Sequence, residues 1–210
     1  MVCPMTLDLL LSFVGFALTA SLTPGPAGFV LLASSATFGI RRSLPLLFGI
    51  SLGYVLMILF AGLAFEPFMA APPALFMVSK AVFALWVLWL AWKISRRLQP
   101  AQETQAAQRL LSFPQALAFQ LVNPASWAVA FGTMVAFTSA TPSDSGFVSL
   151  VLLLTAIFAA VNLPGIGLYA LLGEVLHRLL HDPAKLRIFK IVMAVLLVVS
   201  IAPLLLGAVF

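Results

Sequence analysis

The segment Thr19-Ala20-Ser21-Leu22-Thr23-Pro24-Gly25-Pro26-Ala27-Gly28 lies inside an apolar run from about residue 8 to 34. A run of that length is enough to cross a bilayer, which takes about 20 mainly apolar residues as a helix. Two prolines around a glycine break such a helix. Proline lacks an N–H and displaces the carbonyl four residues earlier, so Pro24 and Pro26 free the carbonyls of Ala20 and Leu22. In hydrocarbon an unpaired backbone group is costly, and a break persists only where protein groups satisfy it or where it lines a wet cavity. The hydroxyls of Thr19, Ser21 and Thr23 stand beside it.

Five further apolar runs follow, at about 44–65, 74–95, 112–138, 147–173 and 187–208. Short separators rich in polar residues or proline lie at 39–43, 66–73, 95–108, 139–146 and 177–185. Of 210 residues 63% are hydrophobic and 8% are charged. A soluble domain carries about 25% charged residues, so a soluble enzyme, a nucleic-acid binder and a disordered chain are all excluded. The pI near 10.0 does not mark a nucleic-acid surface, because the basic residues sit between apolar runs and form no patch. The lone cysteine, Cys3, excludes a disulfide framework and dithiol chemistry within one chain. The first apolar run lacks a basic leader, so no cleavable signal peptide is expected.

Lysine and arginine give the sidedness. Arg41 and Arg42 lie between runs one and two, Lys93, Arg96, Arg97 and Arg109 between three and four, and Arg178, Lys185, Arg187 and Lys190 between five and six. That places 10 of the 11 basic residues on one side, taken as cytoplasmic, with both termini outside. Lys80 is the exception, and is expected to snorkel to the outer headgroups, with a gating or substrate role as the alternative.

The halves resemble each other. Run one is broken at Thr23-Pro24-Gly25-Pro26 and run four at Asn123-Pro124, while runs two and five pair small residues with a tyrosine, Gly49-Gly53-Tyr54 and Pro164-Gly165-Gly167-Tyr169. Three spans per half put the second half upside down relative to the first, the inverted-repeat plan of many secondary transporters. The expected fold is therefore an all-α integral membrane protein, six transmembrane helices as two inverted three-helix repeats. It forms one domain over 1–210, with repeat one at about 8–95, a cytoplasmic linker at about 96–111 and repeat two at about 112–208.

Pro124 frees the carbonyl of Gln120, and Pro164 that of Ala160. A broken helix presents two opposite partial charges at one depth. The half-helix starting near Ala27 aims free N–H groups at the break and favours an anion, while the freed carbonyls before it favour a cation. A zwitterionic amino acid needs that pair. The predicted binding residues are Thr23, Pro24, Gly25, Pro26, Gln120, Asn123 and Pro124, with Asn162 and Tyr169 from the fifth helix. No aspartate or glutamate falls at mid-membrane depth, which argues against a metal or cationic substrate held by carboxylates. No cofactor and no metal are expected.

Other motifs carry less. Gly49-Ile50-Ser51-Leu52-Gly53 spells G-x-S-x-G, but a nucleophile elbow needs a preceding strand and a nearby histidine. The same residues spell G-x-x-x-G, which lets helix backbones approach closely. Glu174, His177 and His181 share a helix face, and a solvated helix end explains them better than a metal. Trp86, Trp89 and Trp92 suit lipid or the membrane interface.

Thr23-Pro24-Gly25-Pro26, then Gly39-Ile40-Arg41-Arg42-Ser43, then Gly49-Ile50-Ser51-Leu52-Gly53 resemble the first half of the LysE/RhtB-type amino-acid exporters. Lys80 with Trp89-Leu90-Ala91-Trp92-Lys93, and Phe113 with Gln120-Leu121-Val122-Asn123-Pro124-Ala125, match the third and fourth helices. Within that family the stretches Ser51-Leu52-Gly53-Tyr54, Leu90-Ala91-Trp92-Lys93-Ile94 and Ala118-Phe119-Gln120-Leu121-Val122-Asn123 look most like the cysteine/O-acetylserine exporter branch. Ala27 stands where the family often has asparagine, and Tyr54 where many members have an acid.

The resemblance implies a bacterial inner-membrane exporter of amino acids and derivatives, driven by the proton motive force. The missing acid tilts the expected substrate toward small neutral compounds, cysteine/O-acetylserine-like or homoserine/threonine-like. The alternative is a metal or other cation exporter of the same superfamily. The expected partners are the amino-acid substrate and the lipid bilayer, with a homo-oligomer left open.

Overall fold

A computed structural model of the chain describes residues 7–63, 73–96, 110–138, 146–179 and 182–200. Among these residues all regular structure is helical: α1 (Leu7–Leu22), α2 (Pro26–Phe38), α3 (Ile40–Leu63), α4 (Pro73–Arg96), α5 (Phe113–Leu121), α6 (Pro124–Thr138), α7 (Phe147–Leu179) and α8 (Pro183–Ser200). α3 and α7 are each long and apolar enough to cross a bilayer. The pairs α1–α2 and α5–α6 pass the same test as bent units, with bends of 56° and 63°. Both bends fall at the predicted proline breaks.

Two details differ from the sequence reading. The turn expected over 39–43 contracts to Gly39 alone. Its φ of +80° reverses the chain in one residue, its N–H reaches Ser35 O at 2.9 Å, and the Glu174 carboxylate accepts the Ile40 N–H at 2.7 Å. With that N–H satisfied, α3 starts at once. Pro164, expected to free a carbonyl, does not interrupt α7, which runs through it for 33 residues. A lone proline is tolerated where neighbouring helices hold both flanks, and α7 packs extensively on both α2 and α3.

Close contacts fix the relative directions. Along α7, Gly165 meets Ser21, Tyr169 meets Gly28 and Gly173 meets Ser35, so α7 runs parallel to the bent pair α1–α2. Gly49 meets Phe113 and Ala116, and Gly53 meets Gln120, so α5 runs parallel to α3. α3 and α7 are antiparallel: Ile40 bonds Glu174 at one end, Tyr54 and Phe158 rings lie 5.1 Å apart further on, and Gly62 abuts Val151 beyond them. The G-x-x-x-G of α3 does pack closely. A Cβ on Gly49 would sit 2.7 Å from the Phe113 carbonyl oxygen.

Among the described residues the buried apolar side chains form two cores, stacked along the helices. One holds Ala27 to Ala33 of α2, Leu46 to Ile50 of α3, Phe83 to Ala91 of α4, Ala116 and Phe119 of α5, Ile166 and Ala170 of α7, and Met193 to Leu197 of α8. The other holds Phe13 and Ala17 of α1, Tyr54 to Ala61 of α3, Ala130 to Met134 of α6, and Val151 to Phe158 of α7. Lys190, placed by sequence among loop-flanking charges, is instead 5% exposed within α8.

Candidate functional site

The seam between the two cores is polar. α3 passes from one core to the other between Ile50 and Tyr54, and Ser51 lies there. α7 does so between Phe158 and Ile166, at Asn162. The α1–α2 pair crosses between Ala17 and Ala27, at Ser21, and the α5–α6 pair between Phe119 and Ala130, at Gln120, Asn123 and Ser126. All six of these polar side chains are buried. Both helix breaks sit in this seam.

At the first break, Asn162 Nδ2 donates to Ser21 Oγ at 3.1 Å, and Ser21 Oγ donates to Ala17 O at 2.7 Å. The Tyr169 hydroxyl donates to Leu22 O at 2.7 Å. That carbonyl is one of the two freed by the prolines, so a side chain from the other half of the chain occupies it. Thr23 turns its N–H and its hydroxyl back on Thr19 O, at 2.9 Å and 2.6 Å. Gly25 precedes α2 in extended backbone, φ −146° and ψ 179°, and no side chain caps the helix start. The positive end of α2 therefore faces the break without a protein anion.

The second break is more completely satisfied. Asn123 Oδ1 accepts the Ala125 N–H at 3.1 Å, an N-cap for α6. The Asn123 N–H takes the Gln120 carbonyl at 3.0 Å, and Trp127 Nε1 takes the Leu121 carbonyl at 2.7 Å. Gln120 Nε2 donates to Ser126 Oγ at 2.8 Å. Two carboxamide oxygens remain buried without a hydrogen-bond partner, Gln120 Oε1 and Asn162 Oδ1.

The predicted residues thus fall into two groups. Asn162 and Tyr169 join the first break; Gln120, Asn123 and Pro124 make the second. Between them stand Tyr54, beside Ser126, and Phe158, one helical turn from Asn162. Thr23 and Pro24 are exposed, Gly25 and Tyr169 half-buried, and Pro26, Gln120, Asn123, Pro124 and Asn162 buried. Sequence reasoning left Ser51, Ser126 and Trp127 out of the site. Trp127 stands four residues after Asn123, where its ring can reach back over the break, a spacing that could have been read. Lys80 belongs to α4, but its side chain lies outside the described residues, as does His181. Among the described residues no three His, Cys, Asp or Glu side chains converge as a metal site would need. A separate pocket of about 350 Å³, lined by Leu85, Trp86, Trp89, Leu111 and Gln115, lies between α4 and the start of α5.

Apolar spanning helices, two of them broken at mid-course around a buried polar seam, define a multi-pass membrane protein with a polar centre. The chain belongs to the LysE type translocator family, whose sequence profile matches residues 18–207. It is similar to the cysteine/O-acetylserine efflux proteins of Escherichia coli (strain K12) and Shigella sonnei (strain Ss046), each 32% identical over 195 residues, covering 92% of this chain and 96% of the relative. No solved structure matches. The protein is a multi-pass inner-membrane translocator and not an enzyme.

Proposed function

We propose that the protein exports small neutral amino acids or their derivatives from the cytoplasm, by alternating access between two inverted three-helix repeats. The candidate substrates are cysteine/O-acetylserine-like or homoserine/threonine-like. The single observation that carries the reading is the buried polar seam at the depth of both breaks. Buried polar groups without partners are costly, and at mid-membrane depth they are usually functional.

The repeat plan rests on helix direction. α7 parallels α1–α2 and α5 parallels α3, while α3 runs back against α7. The broken pair of one half therefore points opposite to that of the other, as inversion requires. α4 and α8 pack on each other and complete six helices. Arg41 and Arg42 at the start of α3 share one end with Arg178 near the end of α7, because Glu174 ties α7 to Ile40. That end is cytoplasmic in this reading, with both termini outside.

In the site, the uncapped start of α2 takes the substrate carboxylate at the N–H groups after Pro26. The ammonium goes to the free oxygens of Asn162 and Gln120, since Tyr169 holds the Leu22 carbonyl. Thr23, Pro24 and Gly25 form the accessible lip of the first break. Asn123 and Pro124 fix the shape of the second. Neutral acceptors suit a zwitterion better than a dibasic amino acid, whose second cation would lack a carboxylate. Efflux from cells preloaded with a labelled amino-acid panel, with and without a proton uncoupler, tests the reading. Export of cysteine-like or serine-like compounds is expected. Export of lysine alone would overturn the neutral-substrate assignment.

A further inference from the structure

Two side chains near the end of α7 grip the corner where α2 turns into α3. The Glu174 carboxylate accepts the Ile40 N–H at 2.7 Å. His177 Nδ1 lies 3.0 Å from Ala36 O, and the ring donates, since a carbonyl only accepts. The grip is electrostatically matched. An anion meets the positive start of α3, and a donor meets the negative end of α2. Arg178 Nε stands 3.3 Å from the other Glu174 oxygen, on the solvent side. The rim of this corner is wet, with Glu174 and Ile40 half-buried and His177 exposed. A hydrogen bond that water can replace costs little to break and remake.

In this half of the molecule α3 and α7 belong to different packing groups. α7 is fitted to α1–α2 so closely that Gly165 and Gly173 leave no room for a Cβ against Ser21 and Ser35. α3 is fitted to α5 in the same way at Gly49 and Gly53. Between the tie and the Tyr54–Phe158 ring contact, neither helix turns a glycine toward the other. α2 and α3 are joined by Gly39 alone, at φ +80°. Glycine absorbs backbone rotation there that other residues resist, which is what a hinge requires. Two side-chain bonds keep α3 from swinging about it. One is Glu174 to Ile40. The other is Ser34, which donates to Ser43 Oγ at 2.8 Å while Ser43 donates to Gly39 O at 3.1 Å.

Ile40, Ser51 and Gly62 follow one another at intervals of 11 residues, about three helical turns, so they share one face of α3. Ile40 and Gly62 both touch α7, at Glu174 and Val151. Ser51 therefore faces α7 midway between them, on the side away from α5. It is 7% exposed, and its hydroxyl has no hydrogen-bond partner. We infer that Glu174 is the gate residue of the end read above as cytoplasmic. Its carboxylate bolts α3 to α7. Release of that bond lets α3 and α5 swing about Gly39 and opens the α3–α7 interface to the cytoplasm as far as Ser51. His177 holds α7 on α2 while α3 moves. The structure is the state with this end shut. The inference rests on the export reading and deepens it, by naming what admits the substrate.

The test uses the full-length protein carrying Cys3→Ser and Ser51→Cys, in inside-out and right-side-out membrane vesicles. One thiol then remains, in place of a hydroxyl that makes no hydrogen bond. The probe is a charged, membrane-impermeant methanethiosulfonate. Adding Glu174→Ala should speed labelling from the cytoplasmic face by about tenfold, the scale of one hydrogen bond to a charged group. It should slow labelling from the outer face, because the two openings draw on one population. Glu174→Gln keeps an oxygen for the Ile40 N–H, and should label within about threefold of the parent, since the bond is weakened and not lost. Glu174→Leu, which also lacks the acceptor, replaces the alanine form if that does not insert. Faster cytoplasmic labelling at an unchanged outer rate would mean a frayed helix end and overturns the gate. So does labelling, or its absence, that ignores Glu174 altogether. Either result leaves the export reading standing. Wild-type protein that moves no amino acid in the efflux panel overturns the export reading, and the gate with it.

Discussion

The hydroxyl of Tyr169 donates a 2.7 Å hydrogen bond to the carbonyl of Leu22, 147 residues away, the group that Pro26 deprives of its helical partner. The bend in the first half of the chain is thereby held by a side chain from the second half. Tyr169→Phe removes only the hydroxyl and the bond it donates to that carbonyl, a loss of about 0.5–1.5 kcal/mol. The expected outcome is a lower melting temperature in detergent and slower export at normal expression. Unchanged stability and export would mean that the break is satisfied without Tyr169.

Asn123 works at the second break as an N-cap, through Oδ1 on the Ala125 N–H. Asn123→Ala removes the cap, at a cost of about 0.5–2 kcal/mol, and should abolish export while the protein still inserts. Serine caps nearly as well as asparagine, so Asn123→Ser should recover a large part of the activity. Both are read by efflux from cells with matched membrane levels. Normal export by Asn123→Ala would remove Asn123 from the site.

Close helix approach sets a third prediction. A Cβ at Gly49 would meet Ala116 Cβ and the Phe113 carbonyl at 2.7 Å, whereas one at Gly132 would meet nothing within 4 Å. Gly49→Ala should therefore destabilise by about 1–3 kcal/mol, the usual cost of overpacking. Gly132→Ala should be neutral or slightly stabilising, since alanine is the better helix former. Thermal unfolding monitored by size exclusion distinguishes them. Equal behaviour of the two would contradict the α3–α5 packing.

The charge pattern gives a fourth. Alkaline phosphatase fused after Phe210 should be active and green fluorescent protein at the same place dark, as for a terminus outside the inner membrane. The reverse result would invert the assigned sidedness, and with it the direction of transport relative to the Glu174–Ile40 end.

Both helix breaks were legible because proline chemistry is local. Pro24, Pro26 and Pro124 act on carbonyls four residues away, and the bends fall where they stand. The close packing of Gly49 and Gly53 was legible for a similar reason, since small residues one turn apart make a groove whatever fills it. Pro164 shows the limit. Its local effect is the same, yet α7 stays whole, because packing by α2 and α3 decides the outcome.

The partners of Asn162 and Tyr169 could not be read, since Ser21 and Leu22 lie more than 140 residues away and only tertiary packing joins them. Ser51 was hidden for another reason. Its neighbours spell a packing motif, and nothing in a sequence tells a hydroxyl that bonds its own helix from one that does not. Lys190 was misplaced by arithmetic. Counting it with a loop ignored the helix before it, about two turns of α8 from Pro183 onward.

The central claim is that the polar seam between the two apolar cores is where a zwitterion docks. The most direct measurement is equilibrium binding of labelled L-serine to purified protein, comparing wild type with Asn162→Leu. Leucine matches asparagine closely in shape, and Ser21 keeps its bond to Ala17, so the fold should persist. The account predicts saturable binding to wild type and at least about tenfold weaker binding to the variant at an unchanged melting temperature. Equal binding by the two proteins would contradict it.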